Sequence, residues 1–395
     1  MISQEMYQLG AKRSCIRELF EYGLALARRI GPENVFDYSL GNPSVPAPAQ
    51  VGQALAELAE SDPVALHSYT PAGGSLALRK TVAADISRRS GMEVRPEELF
   101  FTCGAAPALT AVFTALRVEG SEILAIAPCF PEYGVFVRGS GSRFILVPPD
   151  LERFQIPLEA LEARITPNTQ AVIINSPNNP SGAVIPEKTL EEIAELAQKY
   201  DFTVLSDEIY EFLIYDGCRC RSIRSFPGMK ERTVVINGMS KRFAMTGWRL
   251  GWAVGPEELI SQMTKMQENI VACAPLPAQH AGIEALSDRT DMDYIRDEFQ
   301  RRRDVIFNGI NAIEGLMCHP VPATFYAMID IGSTGLRAEE FAFRLLDMQK
   351  VAVVHGSAYG GEHYDNFIRI AFTMEVEKLQ EALRRIGRFM ESLRR

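Results

Sequence analysis

The strongest constraint on the fold is a repeated alternation of short apolar runs with amphipathic helical stretches between about residues 85 and 253. The runs are rich in branched side chains and lie at residues 99–102, 123–127, 144–147, 171–175, 203–206 and 234–237. Alternation of this kind predicts an α/β fold with a mostly parallel sheet covered by helices on both faces. Such sheets bind ligands at the carboxyl ends of their strands.

The pattern changes after about Pro256. Long helical patterns cover residues 257–271, 277–286 and 292–313, and they are followed by short strands at 325–329 and 367–372 and by a charged helix from residue 375. We therefore predict a large domain at residues 46–285 and a smaller α+β domain at 286–395. An N-terminal segment, residues 1–45, carries a helical pattern at 16–29 and is expected to pack with the small domain.

Charge and cysteine content exclude several classes of protein. With 41 Lys and Arg against 50 Asp and Glu, the net charge of −9 argues against nucleic acid or an anionic membrane surface as a partner. No signal peptide or apolar stretch of membrane-spanning length is present. The seven scattered cysteines do not form a disulfide framework, and the pair at Cys218 and Cys220 has no second pair to complete a zinc site. We expect a cytoplasmic protein with no metal.

A lysine follows the last of the apolar runs. Lys241 stands close to Met239, Phe243 and Met245, and an apolar setting lowers the pKa of an amine and favours its neutral, nucleophilic form. Arg249 lies eight residues further on, also among apolar residues. We expect a buried arginine at this position, which needs an anion as its partner.

Other polar turns follow other predicted strands. Asp207 ends one apolar run, where it is either a helix N-cap or a functional carboxylate, and Tyr210 follows three residues later. A turn rich in Asn, Pro, Ser and Gly spans residues 175–182. Ala105 and Ala106 follow Gly104 at the start of a helical stretch, where free backbone N–H groups attract phosphate. These turns are expected to line one cleft.

Taken together, the motifs resemble those of the class I and II aminotransferases, which are pyridoxal-phosphate enzymes of the aspartate aminotransferase fold. The resemblance runs from about Asn42 to Phe372 and implies a three-layer transferase fold. Its landmarks, in order, are Tyr69-x4-Gly74-x4-Arg79, the Gly104-Ala-Ala turn, Pro128-x-Phe-Pro, Asn179-Pro-Ser-Gly, Asp207-Glu-Ile-Tyr210, Ser240-Lys241-x7-Arg249-x-Gly251 and Ile368-Arg369-Ile370-Ala371-Phe372.

The resemblance implies a role for each matching residue. Lys241 would bond to the cofactor aldehyde and move the substrate proton, and Asp207 would pair with the pyridine nitrogen. Asn179 and Tyr210 would hydrogen-bond the 3′ oxygen of the cofactor. Phe130, at a position where the family often has Trp or Tyr, would stack on the ring.

The cofactor phosphate would be held by backbone and side-chain donors. The resemblance assigns it to the N–H groups of Ala105 and Ala106, to the Ser240 hydroxyl and to Arg249. Tyr69 would reach the same phosphate from the other subunit of a homodimer with shared active sites. The turn lacks a side-chain hydroxyl, so phosphate binding would depend more on the backbone and on Arg249.

The substrate carboxylate would be held by Arg369. Within residues 367–372 the period-two alternation places Arg369 on the face opposite Ile368 and Ile370, and its planar fork matches a carboxylate. The resemblance adds Asn179 and the backbone of Gly41 to the substrate site.

These expectations define an aminotransferase that moves the α-amino group of an L-amino acid to a 2-oxo acid. Aspartate and 2-oxoglutarate are the first choice on family frequency alone. Arg13 and Arg17 are candidates for binding a second carboxylate, or else belong to a solvated helix face. The alternatives are a β-eliminating C–S lyase of the same fold and a non-catalytic binding protein.

Overall fold

A computed structural model describes residues 2, 4, 7–8, 15–148, 150–151, 154–287 and 292–394 of the chain, except the side chains of residues 15–17 and 287. The strands are β1 (Phe36–Asp37), β2 (Leu99–Thr102), β3 (Glu122–Ile126), β4 (Arg143–Val147), β5 (Thr169–Asn175), β6 (Thr203–Asp207), β7 (Thr233–Gly238), β8 (Gly251–Val254), β9 (Met317–Cys318), β10 (Tyr326–Asp330), β11 (Val351–Ala352), β12 (Val354–His355) and β13 (Phe367–Ala371).

Helices cover both faces of the larger sheet and flank the smaller one. The α-helices are α1 (Cys15–Ile30), α2 (Ala49–Ala59), α3 (Pro63–Leu66), α4 (Leu76–Ser90), α5 (Ala105–Ala115), α6 (Glu132–Gly139), α7 (Leu158–Glu162), α8 (Glu187–Tyr200), α9 (Met239–Arg242), α10 (Glu257–Val271), α11 (Leu276–Ser287), α12 (Asp293–Asn311), α13 (Ala338–Gln349), α14 (Ser357–Gly360) and α15 (Val376–Leu393). Short 3-10 turns connect several of them.

The larger sheet has seven strands in the order β2-β8-β7-β6-β5-β3-β4. Strands β4, β3, β5, β6 and β7 pair in parallel, whereas β8 runs antiparallel to both β7 and β2. The predicted α/β class with a mostly parallel sheet is confirmed. The antiparallel strand β8 follows the Arg249 turn and was not among the predicted strands.

Alternate residues of the central strands face two different apolar layers. In β5, Ala171 and Ile173 pack on one face with the core that includes helix α5, while Val172 and Ile174 pack on the other face with the core that includes helix α8. Because both faces are covered, these strands are continuous apolar runs without polar alternation.

The carboxyl ends of β5, β6 and β7 lie side by side. Asn175 pairs with Asp207, and Asp207 pairs with Ile236 two residues before the end of β7. The first residue of β8, Gly251, sits between Gly238 of β7 and Thr102 of β2. The polar turns that follow these strands therefore meet at one edge of the sheet.

Gly251 also lets two backbone segments approach closely. A Cβ added there would lie 2.4 Å from the carbonyl carbon of Gly104 and 2.5 Å from the backbone nitrogen of Ala105. Real Cβ atoms do not tolerate such distances, so a side chain at this position would push away the first turn of helix α5.

A second, antiparallel sheet has the order β12-β13-β10-β9, and β1 pairs with β11 beside it. Helix α1 packs here: Leu19 joins a small apolar cluster with Leu346 and Ala352. Strand β10 was predicted at 325–329 and β13 at 367–372, each within one residue of its observed bounds. In the described part of the chain, no helix is both long enough and apolar enough to cross a membrane.

Candidate active site

A cavity of about 500 Å³ opens where the carboxyl edge of the larger sheet faces the smaller sheet. Its walls bring together most of the predicted site residues, although they are far apart in the sequence. They are Gly41, Ala105, Ala106, Phe130, Asn179, Asp207, Tyr210, Ser240, Lys241, Arg249 and Arg369. Among the described residues, no group of His, Cys, Asp and Glu side chains is arranged to hold a metal ion.

Lys241 lies in the short helix α9, directly after strand β7. Its amine donates a hydrogen bond to the carbonyl oxygen of Gly41 at 2.7 Å and lies 5.6 Å from the centre of the Phe325 ring. Burial lowers the pKa of Lys241 to about 8, and the positive charges of Arg249 and Arg369 act in the same direction. The neutral form of the amine is therefore far more populated near neutral pH than in a solvated lysine, and it can act as a nucleophile or a base.

Asp207 is the last residue of β6, and its carboxylate is buried. Tyr133 donates a hydrogen bond to Asp207 Oδ2 at 2.5 Å, and the backbone N–H of Ile209 donates to Oδ1 at 3.3 Å. Burial raises the pKa of Asp207, while the hydrogen bonds from Tyr133 and Ile209 and the charge of Lys241 oppose that rise. A buried carboxylate of this kind binds a positively charged or hydrogen-bond-donating ligand group.

Arg369 projects from β13 into the cavity and is only 2% exposed. One terminal nitrogen donates to Asn179 Oδ1 at 3.2 Å and the other donates to the backbone oxygen of Ser39. The guanidinium lies 4.3 Å from the Tyr326 ring centre and 5.1 Å from that of Tyr359. Within the described structure its Nε is buried and has no hydrogen-bond partner.

The buried Arg369 therefore has donor capacity left for an anion. Buried arginines need an anionic or hydrogen-bonding partner to offset the loss of hydration. Because the guanidinium is planar, it suits a carboxylate that binds through both oxygens.

Two tyrosines pack beside this arginine. The hydroxyls of Tyr210 and Tyr326 are 3.1 Å apart. Burial raises the pKa of Tyr210 well above its usual value, and the neighbouring Tyr326 adds to the rise, so Tyr210 stays a neutral phenol. A Cβ added at Gly41 would lie 1.8 Å from the Tyr326 hydroxyl oxygen. The chain therefore needs glycine at residue 41 if the phenol is to stay where it is.

The first turn of helix α5 forms a wall of the cavity whose geometry suits an anion. Gly104 precedes Ala105 with a φ of 95°, and a Cβ there would overlap the guanidinium of Arg249. Arg249 donates to the backbone oxygens of Thr246 at 2.8 Å and Cys103 at 3.2 Å. The free N–H groups at the start of this eleven-residue helix and the guanidinium of Arg249 therefore lie at the same part of the cavity wall.

One prediction about this wall is wrong. Arg249 is exposed within the single chain and is not buried. Arg249 follows a 3-10 turn at Thr246–Trp248 and itself has a φ of 54°. Its side chain therefore leaves the apolar interior and lies along the open side of the Gly104 turn. The apolar residues that neighbour Arg249 in the sequence belong to the hydrophobic core, where Leu250 is fully buried.

Three predicted residues fall outside this cavity or outside the described structure. Tyr69 is 88% exposed and does not line the cavity. Arg13 lies outside the described residues, and Arg17 belongs to helix α1 but its side chain is not described. The proposed contacts of both arginines stay predictions.

Sequence reasoning missed several residues of the cavity wall. Glu132 and Tyr133 begin helix α6, directly after the Pro128-x-Phe-Pro motif, and Tyr326 begins strand β10. The position of Tyr133, three residues after Phe130, was an available signal, because a tight turn brings residues three apart close together, and here the two ring centroids are 5.5 Å apart. For Tyr326, the apolar strand pattern gave no sign that its hydroxyl reaches the cavity.

Comparison with known proteins agrees with this geometry. The family model for aminotransferase class I and II matches residues 33–386. The chain is 35% identical over 381 residues to aromatic-amino-acid aminotransferase 2 of Thermococcus litoralis, covering 95% of each chain. It is 36% identical over 369 residues to the arginine–pyruvate transaminase AruH of Pseudomonas aeruginosa, covering 92% of each.

A solved structure of the aspartate aminotransferase from Thermus thermophilus with maleate superimposes with a TM-score of 0.91 at 32% identity. The match covers 98% of this chain and 99% of the other. With the family match and these full-length similarities, the chain belongs to the class I and II aminotransferases.

Proposed function

We propose that this aminotransferase uses pyridoxal phosphate to transfer the α-amino group of an L-amino acid to a 2-oxo acid. One observation carries the proposal: the Lys241 amine, whose pKa is lowered to about 8, shares a cavity with the guanidinium of Arg369. An amine that loses its proton near pH 8 can, in its neutral form, attack a carbonyl group and accept a proton from carbon. The guanidinium supplies a fixed partner for a substrate carboxylate.

The residues of the cavity fit this cofactor. The N–H groups at Ala105 and Ala106, together with Ser240 and Arg249, would hold its phosphate. Asp207 is a buried carboxylate with a raised pKa, so it would gain a favourable partner in a protonated ring nitrogen. When bound, pyridoxal phosphate supplies an aldehyde that bonds to amines and a ring that withdraws electrons from the substrate α-carbon.

The residues of the chain then have distinct tasks. Lys241 accepts the α-proton of the substrate as a neutral amine and returns it as an ammonium group. Arg369 fixes the α-carboxylate, and Asn179, bound to Arg369, keeps the guanidinium in place. Tyr210, which stays protonated because it is buried, offers a hydrogen-bond donor to the cofactor oxygen. The hydrogen bond from Tyr133 favours the charged form of Asp207, because it lowers the pKa that burial raises.

We further propose a homodimer with shared sites, as predicted from Tyr69. The exposure of Tyr69 within one chain supports this, since 88% of the side chain is open to a second copy. Mixing the inactive variants Tyr69→Ala and Lys241→Ala should restore activity, because one site of each hybrid dimer receives both intact residues. Lack of restoration despite proven subunit exchange would contradict the shared site.

Aspartate and 2-oxoglutarate remain the first pair predicted for a substrate screen. Support comes from a relative's name: the Thermus thermophilus structure is called an aspartate aminotransferase. The Thermococcus and Pseudomonas relatives carry the names of aromatic and arginine aminotransferases, so these donors join the screen. A cytoplasmic location stays a prediction, based on the cysteine pattern.

The decisive experiment uses the purified protein with added pyridoxal phosphate. We expect a yellow absorbance that borohydride bleaches while fixing the cofactor to Lys241, and double-displacement kinetics with a 2-oxo acid acceptor. The Lys241→Ala variant should keep its circular dichroism spectrum and lose both the covalent bond and turnover. Release of pyruvate and ammonia from cysteine conjugates without any acceptor would instead indicate the β-eliminating lyase.

A further inference from the structure

A buried ion pair lies next to the residue that carries the proposed chemistry. Arg242 directly follows Lys241 in the four-residue helix α9. Its Nη1 atom donates to Asp85 Oδ2 of helix α4 at 2.8 Å, and the two side chains are only 5% and 3% exposed. Lys241 lines the active-site cavity, whereas Arg242 and Asp85 lie outside its wall in the described structure. The pair therefore connects the helix that carries the reactive amine to a longer helix away from the cavity.

Both partners of this pair are charged near neutral pH. Burial lowers the pKa of Arg242 to about 10, while Asp85 acts against this lowering. Burial also opposes the ionisation of Asp85, but the hydrogen bonds and charges of Arg242 and Arg89 outweigh it and hold the pKa of Asp85 below its usual value. A buried ion pair is favourable only if its geometry is kept, so this pair disfavours other placements of helix α9.

An aromatic ring extends the contact to the turn after β6. The guanidinium carbon of Arg242 lies 3.4 Å from the centroid of the Phe212 ring, and that of Arg89 lies 4.5 Å from it. Arg89 belongs to helix α4 and donates from Nε to Asp85 Oδ2 at 2.8 Å. Phe212 stands on the same turn as Tyr210 of the cavity wall.

A second set of hydrogen bonds joins the same elements. Glu211, between Tyr210 and Phe212, accepts from Arg89 Nη1 at 3.1 Å and from Asn237 Nδ2 at 2.6 Å. Asn237 is the next-to-last residue of β7, just before helix α9. Helix α4 is therefore bonded to both of the turns that supply Tyr210 and the reactive amine.

We propose that Arg242 is a positioning residue, which fixes helix α9 through Asp85 so that the Lys241 amine faces the substrate α-carbon. This inference rests on the proposed transamination. Arg242 does not line the cavity, so it acts on the amine through the placement of the helix backbone. A misplacement of about 1 Å caused far from the reacting atoms can lower a rate about a hundredfold.

The first test compares the holoenzyme with its Arg242→Met variant, which keeps a long side chain and removes the charge. With the donor that the substrate screen ranks first, we expect kcat per bound cofactor to fall about tenfold or more. KM should change by less than about twofold, because Arg369 is untouched. Arg242→Lys, which keeps the charge, should recover part of the loss. In the Asp85→Asn background, Arg242→Met should have a smaller effect, because the ion pair is already broken.

The second test measures the amine itself, in the protein without cofactor. Burial and the charges of Arg249 and Arg369 lower the pKa of Lys241 to about 8. When helix α9 loses its anchor in Arg242→Met, the amine gains access to solvent. The pH midpoint of its labelling by an amine-reactive reagent should then rise by about one unit or more. A variant that is only less stable keeps the midpoint, because its folded molecules are unchanged.

Arg224→Met is the matched control. Arg224 also forms a buried ion pair, with Glu98 at 3.2 Å, and the two side chains are 1% and 4% exposed. Glu98 precedes β2, at the edge of the sheet away from the Gly104 turn. This variant should lose stability as Arg242→Met does, but it should keep the wild-type kcat and the wild-type labelling midpoint of Lys241.

The outcomes separate this inference from the proposed function. An active wild-type enzyme whose kcat and Lys241 midpoint are unchanged in Arg242→Met, or change equally in Arg224→Met, overturns the positioning role and leaves the transamination standing. If Arg242→Met does not fold, Arg242→Lys decides, because it should shift both quantities in the same directions by smaller amounts. A holoenzyme that transfers no amino group from any donor overturns the proposed function itself.

Discussion

The hydrogen bond from Tyr133 to Asp207 can be removed by deleting one oxygen atom, in the Tyr133→Phe variant. The bond is 2.5 Å long and both side chains are buried. A hydrogen bond to a charged group contributes about 1.5–3 kcal/mol to protein stability. A buried acceptor that loses its donor costs its full desolvation free energy. Within the described structure, the Asp207 carboxylate of the variant then keeps one longer hydrogen bond, which it accepts from the backbone N–H of Ile209 at 3.3 Å. We expect the free energy of unfolding without added ligand to fall by about 1.5–3 kcal/mol at pH 8.

The pH dependence of this loss has a definite sign. Burial raises the pKa of Asp207 and the Tyr133 hydrogen bond holds it down, so the variant has a still higher folded-state pKa. A carboxyl group whose pKa is higher in the folded than in the unfolded state destabilises the fold above its folded pKa, and this cost disappears as the pH falls through that pKa. The difference between variant and wild type should therefore shrink as the pH is lowered from 8 through the folded-state pKa of Asp207 in the variant.

Tyr200→Phe is the matched control, because its hydroxyl also donates to a carboxylate, Glu162, at 2.8 Å but on the surface. Its expected effect is below about 0.5 kcal/mol. Urea unfolding followed by circular dichroism measures both variants at pH 8 and at a series of lower pH values. The reasoning is refuted if the two substitutions cost the same, or if the loss in Tyr133→Phe does not depend on pH.

Further predictions concern the Lys241 amine, the close contact between Gly41 and Tyr326, and the Arg369 guanidinium. In the protein without cofactor, the rate at which an amine-reactive reagent labels Lys241 should rise with pH and have its midpoint near pH 8, because burial and two arginines lower the pKa of the amine to about that value. A midpoint above pH 10, as for a solvated lysine, would contradict this. Gly41→Ala should lower kcat/KM at least about tenfold, since its Cβ would overlap the Tyr326 hydroxyl, and the added Tyr326→Phe change should recover part of the loss. Arg369→Lys should raise KM for every donor about tenfold or more with a small change in Tm; a rise for one donor only would assign Arg369 to the side chain.

Residues directly after predicted strands were the most accessible to sequence analysis. A buried parallel strand needs a continuous apolar run, so its end is visible in the sequence. Asp207 is the last residue of β6, and Lys241 stands three residues beyond the end of β7. Parallel strands present these ends at one edge of the sheet, which is why the residues could be assigned to one cavity before the structure was known. The family motifs added Asn179 and Arg369, which no spacing rule connects.

Residues that reach the cavity from within a helix or strand were not accessible in the same way. Tyr326 and Glu132 occupy ordinary positions in their elements, and only the packing of distant segments decides that they line the cavity. The short strand β8 was missed for a related reason. Its four residues are all buried, and a short apolar run after a glycine does not show whether it pairs parallel or antiparallel.

The hydrogen bonds of Arg369 join segments that lie far apart in the chain and are therefore synthesised at very different times. Its guanidinium binds the backbone of Ser39, 330 residues earlier, and the side chain of Asn179, 190 residues earlier. Contacts of such high sequence separation form late in folding, because the entropy of closing long loops must be overcome first. Substrate binding therefore has to wait until nearly the whole chain has left the ribosome and both sheets have docked. Any ligand that binds only the finished cavity stabilises the complete fold by mass action and reports on its assembly as a whole.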